Sequence, residues 1–254
     1  MNGRYSLKET LRRGLPCCGG WCQIGHPAVA EIQAQAGFQW LALDCEHGEA
    51  SEQDIGDFCR AALGGGAEPL VRVRQNDILD IRRALDLGAV GVIVPLVNNA
   101  ADAARAVAAA LYPPKGVRGF AFQRANCWGR DFDKYADSDG QRIVMVMVES
   151  KEAVENIDGI LAVPGVDGVF IGPYDMSGSY GIVGQTAHPL IVEACARVAD
   201  ACRRHGKVAG QHIVVPTPEK VAEARKQGYA FVALGMDTCF LAMGAKSSLE
   251  MFHE

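Results

Sequence analysis

One phrase recurs along this 254-residue chain: an amphipathic helical stretch, a glycine, then a short apolar run. AVAEIQAQAG leads to FQWLALD, IRRALDLG to AVGVIVP, VENIDGILAVPG to VDGVFIGP, VADACRRHG to KVAGQH, and VAEARKQG to YAFVALG. Gly37, Gly88, Gly165, Gly206 and Gly228 stand where each helix must stop. Glycine takes the left-handed conformation there without steric cost. The apolar runs are short and rich in Val, Ile, Leu and Phe, as in parallel strands covered on both faces. Strands alternating with helices build right-handed βαβ units. The pattern predicts strands near 20–24, 39–44, 69–73, 91–95, 142–148, 167–171, 207–211 and 230–234, each followed by a helix. Eight such units in about 250 residues is the size of a TIM (β/α)8 barrel. The expected α/β fold is therefore one closed barrel, a single domain over residues 1–254. A doubly wound open sheet is the other arrangement, but it usually opens with G-x-G-x-x-G after its first strand. The first run here reads GGWCQIGHP.

Composition narrows the function. Hydrophobic residues make up 49% and charged residues 22%, with a net charge of -5. No basic stripe of a nucleic-acid binder is present, and no run approaches the roughly 18 apolar residues of a membrane span. The opening MNGRYSLKETLRRG lacks the apolar centre of a signal peptide, so a cytoplasmic protein is expected. Nine cysteines, an odd number, fit reduced thiols. Cys17, Cys18 and Cys22 lack the paired spacing of a zinc site and read as structural. One connection, residues 112–141, is long and rich in Pro, Gly and aromatics, with DFDKYADSD as a short helix. Such loops often carry function.

A barrel places its chemistry at the C-terminal ends of its strands. There the chain sets Asp44, Glu46 and His47 after strand two, Arg72 and Arg74 on strand three, Glu149 after strand five, Asp175 after strand six, and Gln211 and His212 near the end of strand seven. Taken singly each has an ordinary explanation. Asp44 can cap a helix, Glu149 can favour a helix N-terminus, Asp175 can hold a turn, Arg72 can pair with a structural carboxylate, and His47 can be a surface histidine. Convergence on one barrel mouth favours a site. Glu149 and Asp175 are hard oxygen ligands on neighbouring strands, suited to Mg²⁺ or Mn²⁺ rather than zinc. A 2-oxo acid can chelate such an ion, which would polarise its carbonyl and stabilise an enolate. Arg72 adds a fixed cation near the same oxygen. Histidine is the side-chain type whose ordinary ionisation falls near neutrality, which makes His47 the natural proton shuttle, with Asp44 expected to bond its imidazole. Backbone N–H groups after Gly172 and Pro173 offer a seat for the substrate carboxylate. The alternative is a Schiff-base lysine, but no lysine falls inside a predicted barrel strand except Lys207, at the wrong end.

The blocks AGFQWLALDCEHGE, VRVRQND, YPPKGVRG, VESKEAVENID, GVDGVFIGPYDMSGSYG and VALGMDT occur in the order found in the metal-dependent, class II pyruvate aldolases of the HpcH/HpaI type. The chain resembles that family over nearly its whole length. The resemblance implies that Glu149 and Asp175 bind a divalent metal (Mg²⁺ or Mn²⁺, with Co²⁺ also open). It implies that Arg72 contacts the enolate oxygen, and that His47, paired with Asp44, handles the substrate hydroxyl proton. It also implies a TIM barrel whose C-terminal helix is exchanged between subunits, in a homohexamer built as a trimer of dimers. Two positions depart from the family pattern. Met147 replaces a Gln that helps hold pyruvate, and a thioether cannot donate that hydrogen bond. Tyr174 replaces a small residue and brings a ring to the pocket. Both point to a subgroup with its own substrate.

The expected activity is a carbon–carbon lyase acting on 4-hydroxy-2-oxo acids, with pyruvate or a close 2-oxo acid and an aldehyde as partners. The loop with Arg118, Phe122, Arg124 and Trp128 is the candidate wall of the aldehyde pocket, of its own subunit or of a neighbour. Two other readings stay open: an acyl-CoA lyase of the citrate or malate type, and a barrel that binds a 2-oxo acid without turnover. No basic groove for CoA phosphates is evident, and simple binding requires no base such as His47.

Overall fold

In a computed structural model of the protein, which describes residues 5–136 and 138–253, eight parallel strands close into a barrel in sequence order. They are β1 (Cys17–Cys22), β2 (Trp40–Asp44), β3 (Glu68–Arg72), β4 (Gly91–Val94), β5 (Ile143–Val148), β6 (Gly168–Ile171), β7 (Val208–Ile213) and β8 (Phe231–Met236). The α-helices are α1 (Leu7–Arg12), α2 (Pro27–Gln35), α3 (Glu52–Gly64), α4 (Ile78–Asp86), α5 (Ala100–Ala110), α6 (Phe132–Ala136), α7 (Lys151–Glu155), α8 (Ile157–Leu161), α9 (Pro173–Ser179), α10 (Pro189–Arg204), α11 (Pro218–Lys226) and α12 (Asp237–His253). This is the TIM barrel expected from the repeated phrase. All five predicted stop glycines have positive φ. Ser51, Asp77, Asn99, Ser150 and Thr217 cap the helices they precede through side-chain oxygens.

Three details differ from the sequence reading. β1 begins earlier than the predicted residue 20, so Gly19 as well as Gly20 lies inside the strand. Neighbours take the space their side chains would fill: a Cβ on Gly19 would strike the Trp40 ring, and one on Gly20 would strike Gln33. β3 ends at Arg72, so Arg74 stands outside the strand, paired with Asp80 at 2.5 Å. The connections after β5 and β6 each carry two helices, α7 with α8 and α9 with α10, rather than one. In the long loop α6 forms within the segment expected to be helical, whose Asp137 lies outside the described residues.

Alternation along the strands sorts side chains into two cores. One fills the barrel and includes Trp21, Trp40, Ala42, Leu70, Ile93, Met145, Met147, Phe170 and Phe231. Trp40 and Phe231, the first residues of β2 and β8, stack inside it with ring centroids 4.0 Å apart. The other lies between strands and helices and includes Leu41, Leu43, Val71, Val92, Val144, Val146, Val169 and Ile171. Helix α1 adds Leu7 and Leu11 to the barrel interior. Its buried Lys8 pairs with Asp167 at 2.6 Å, and Asp167 also accepts the Val144 N–H at 2.8 Å, so the charge buried there is partnered.

The same parity carries to the opposite, C-terminal end. Residues in step with Trp40 and Ala42 reach Asp44. Those in step with Leu70 reach Arg72, and those in step with Met145 and Met147 reach Glu149. Three charged groups thus face one mouth because each sits an even number of residues beyond a core side chain. Helix α12 leaves β8 with Leu241, Met243, Leu249, Met251 and Phe252 exposed. The outward Val232 and Leu234 of β8 are only half-buried. Among the described residues no helix is long and apolar enough to cross a membrane.

Candidate active site

Asp44 is the hub of the mouth. It is fully buried and receives two parallel bonds from Arg72, Nε to Oδ1 at 2.9 Å and Nη2 to Oδ2 at 2.6 Å. Trp21 Nε1–H and Gln23 Nε2–H add longer bonds to Oδ2, at 3.3 and 3.4 Å. The backbone N–H groups of Glu46 and His47 both donate to Oδ1 at 3.1 Å. Burial alone would push the Asp44 pKa up. Arg72 and these donors outweigh it and hold the carboxyl below its ordinary range. The forked guanidinium–carboxylate pair fixes Arg72 in orientation as well as position.

The remaining Arg72 nitrogen, Nη1, stands 2.9 Å from Glu46 Oε2, a charge contact without a well-directed hydrogen bond. Glu46 has its pKa raised, first by burial and then by the charges of Asp44 and Asp175, with Arg72 and His47 opposing. Glu149 is raised in the same way, by burial and by Glu46 and Asp175. These carboxylates therefore act on one another across the mouth. Glu149 Oε1 accepts the backbone N–H of Leu96 at 2.8 Å, and Leu96 takes φ 54 to present it. A β-carbon residue at positive φ is strained, so the fold stores strain to hold this carboxylate.

Glu149 Oε2 accepts no hydrogen bond from any described residue, although the side chain is buried. It borders Gly172, where a Cβ would sit 3.1 Å from Oε2. Asp175 lies in the first turn of α9, exposed to the mouth. Among the described residues no three His, Cys, Asp or Glu side chains gather into a full metal cage. Two carboxylates, one with an unclaimed oxygen, fit a hard divalent cation that keeps open positions for water and substrate.

The other predicted residues fall as follows. Met147 is buried in the barrel, in step with Glu149. Gly172 gives its N–H to Val148 O at 3.1 Å, and Pro173 has none to give. Any seat for a carboxylate at this helix start therefore rests on the N–H groups of Tyr174 and Asp175. The Tyr174 ring is exposed and lies beside Gly184. His47 is exposed in the loop after β2, and Asp44 bonds its backbone N–H rather than the predicted imidazole. The reason is competition: Arg72, Trp21, Gln23 and the two backbone N–H groups already fill both Asp44 oxygens. Phe122 and Trp128 of the long loop are exposed, whereas Arg118 is buried and pairs with Asp86 at 2.6 Å, away from the mouth. Arg124 Nη1 donates to Leu87 O at 3.4 Å. Arg118 and Arg124 are thus both engaged by other parts of this chain.

Sequence reading gave no role to Trp21, Gln23, Leu96 or Asp237. Asp237 is buried and accepts the N–H groups of Gln23 and Ile24 at 3.0 and 2.9 Å, tying the start of α12 to the loop after β1. The signal for Trp21 was available, since it stands two residues beyond Gly19 on the inward face. Leu96 carried none, because its backbone N–H does the work.

The sequence model of the HpcH/HpaI aldolase/citrate lyase family matches residues 18–243. The chain is 37% identical over 251 residues, 98% of its length and 95% of the relative's, to a 4-hydroxy-2-oxo-heptane-1,7-dioate aldolase of Salmonella paratyphi C (strain RKS4594). Among solved structures it matches an HpcH/HpaI aldolase/citrate lyase family protein from Burkholderia cenocepacia J2315 at 33% identity and TM-score 0.93, covering 98% of this chain and 99% of that one. It also matches an HpcH/HpaI aldolase from Desulfitobacterium hafniense DCB-2 at 31% identity and TM-score 0.89, covering 98% and 96%. With barrel, mouth and sequence in agreement over almost the full length, the chain belongs to the HpcH/HpaI aldolase/citrate lyase family.

Proposed function

We propose that this protein is a class II, divalent-metal-dependent pyruvate aldolase, cleaving or forming 4-hydroxy-2-oxo acids from pyruvate, or a close 2-oxo acid, and an aldehyde. The observation that carries it is the pairing in one mouth of a rigid guanidinium with a buried carboxylate that keeps one oxygen unclaimed. In this reading Glu149 and Asp175 hold the metal. When bound, it supplies Lewis-acid polarisation of the 2-oxo carbonyl.

Arg72, fixed by Asp44, directs its remaining N–H groups at the oxygen that gains charge as the enolate forms. His47, exposed at the mouth, takes the hydroxyl proton of the substrate as the carbon–carbon bond breaks. Asp44 acts on His47 through the loop backbone, by fixing where the residue sits. The free N–H groups of Tyr174 and Asp175 seat the substrate carboxylate. Met147 supplies no hydrogen bond, so pyruvate is held by the metal, Arg72 and the α9 backbone.

The exposed apolar side chains of α12 and the half-covered outer face of β8 support the exchange of this helix with a second copy, since apolar patches of this kind mark contact surfaces. We place that exchange in a homohexamer, a trimer of dimers. The nine free cysteines accord with a reducing, cytoplasmic setting.

The test is pyruvate release from a panel of 4-hydroxy-2-oxo acids, with chelator and then with Mg²⁺, Mn²⁺ or Co²⁺ restored. Release that stops with chelator and returns with metal supports the aldolase. Unchanged release after full chelation refutes the metal assignment. No release from any substrate, by folded and metal-loaded protein, moves the reading to a thioester lyase or a 2-oxo-acid-binding barrel.

A further inference from the structure

The ladder between β1 and β8 is irregular beside the mouth. Gly19 pairs with Ala233, but Trp21 pairs with Met236, so β8 carries one extra residue in that interval. A bulge of this kind bends the strand and re-aims side chains, often next to an active site. Gly235 lies within the bulged interval, at φ 76.

His212 Nε2 lies 3.0 Å from the Gly235 carbonyl oxygen. A carbonyl oxygen only accepts, so Nε2 carries the proton and the neutral ring leaves Nδ1 as an acceptor. His212 is in step with Val208 on β7, an interior residue, and therefore points into the barrel. Its neighbour Gln211 points out, toward α10 and α11.

The His212 ring stacks on Trp21, with centroids 5.1 Å apart and planes 24° from parallel. Trp21 in turn donates Nε1–H to Asp44 Oδ2 at 3.3 Å and lies under the Arg72 guanidinium, 5.1 Å from the ring centroid. A continuous line of contacts thus runs from the β8 bulge to the cation that faces the substrate. Burial favours the uncharged imidazole and, with the nearby Arg72 charge, outweighs the Gly235 bond and the Asp44 charge, which act the other way.

We infer that His212 is a positioning residue: clamped to the Gly235 carbonyl, it fixes the Trp21 indole, and through it the Asp44–Arg72 pair. Its role in turnover rests on the aldolase reading, whereas its hold on Trp21 does not. Leucine in its place would fill space but could not claim the bulge carbonyl, which would stay buried without that partner. Glutamine can reach the same oxygen with an N–H and lay its flat amide on the indole.

The experiment compares wild type, His212→Leu and His212→Gln as full-length, metal-loaded protein. Two readouts are taken: kcat and KM for pyruvate release, and the ¹⁵N–¹H signal of the Trp21 indole, assigned with Trp21→Phe. In His212→Leu the indole signal shifts and kcat falls about tenfold, while KM for the 2-oxo acid stays within about threefold. His212→Gln returns kcat to within about threefold of wild type. An indole signal that stays in place in His212→Leu overturns the inference, as does a loss confined to KM or equal loss in both variants. If wild type releases no pyruvate, the aldolase reading fails and the indole signal alone decides the positioning.

Discussion

Arg72→Lys keeps the charge and removes the geometry. A guanidinium has five N–H groups. Nε–H and one Nη2–H go to Asp44 at 2.9 and 2.6 Å, while Nη1 stands 2.9 Å from Glu46 as a charge contact without a directed hydrogen bond. N–H groups on both terminal nitrogens remain for a substrate oxygen. An ammonium on a flexible stem cannot fork onto Asp44 and also hold those two directions. For stability, losing one charge-assisted bond to a fully buried carboxylate costs about 1.5–3 kcal/mol. In a chain of this size that corresponds to a fall in Tm of roughly 5 °C. For the reaction, losing a fixed donor at the developing oxyanion costs about 10²–10³ in kcat. The assay is metal-saturated pyruvate release beside a thermal melt of the same preparation. A kcat within about threefold of wild type, together with the expected drop in Tm, would make Arg72 a structural partner of Asp44 and refute its contact with the enolate.

Asp44→Asn should flatten the acid limb of the stability curve. The Asp44 carboxyl is held below its ordinary value, so its stabilisation is complete above the unfolded value of about 4 and is lost as pH falls through the folded one. Parallel Tm-against-pH curves for wild type and variant below about pH 5 would contradict this. Glu149→Gln should weaken Mn²⁺ binding, read by calorimetry, beyond the roughly 10–100-fold typical of losing an outer partner of a metal ligand. Unchanged affinity would remove Glu149 from the metal site. Leu241→Glu combined with Phe252→Glu should reduce the assembly mass measured by sedimentation, because both side chains are exposed on α12. An unaltered mass would mean that this face is not covered by a second copy.

The fold was legible because its repeat is written in local chemistry. A helix that must stop before a buried strand needs a residue tolerant of positive φ, and the five stop glycines all adopt it. The same residue type also serves in another role. Gly19 and Gly20 belong to β1, which starts ahead of the predicted 20–24, and Trp40 and Gln33, from other parts of the chain, occupy the space beside them. No local rule separates these two uses of glycine. The mouth was legible where strand parity suffices: Asp44, Arg72 and Glu149 each follow core residues at even spacing. It failed where two candidates compete for one partner. Asp44 and His47 are close in sequence, which invites a carboxylate–imidazole bond, but Arg72 on the next strand takes both carboxylate oxygens. The contribution of His212 was hidden for a similar reason, since it depends on a bulge in β8 visible only once β1 and β8 are paired.

The charges of the mouth explain why such a site calls for a cation. Asp44, Glu46, Glu149 and Asp175 interact electrostatically around Arg72, four carboxylates against one guanidinium. Asp44 absorbs most of what Arg72 offers, through two short bonds. Glu46 gets only the poorly directed contact, and Glu149 has a single backbone N–H. Both have raised pKa values, first through burial and then through the charges of neighbouring carboxylates. Protonation would relieve the repulsion at the cost of their charge. On the proposed assignment, Glu149 and Asp175 would hold a divalent cation, which would relieve it while leaving both ionised and would supply positive charge at the mouth. Arg72 is then free of any duty to neutralise Glu149. The rigid pair it forms with Asp44 becomes a fixed dipole aimed into the mouth, already oriented before the substrate arrives. On the proposed assignment, the carboxylate excess at the mouth is what would draw metal and 2-oxo acid to the same end of the barrel.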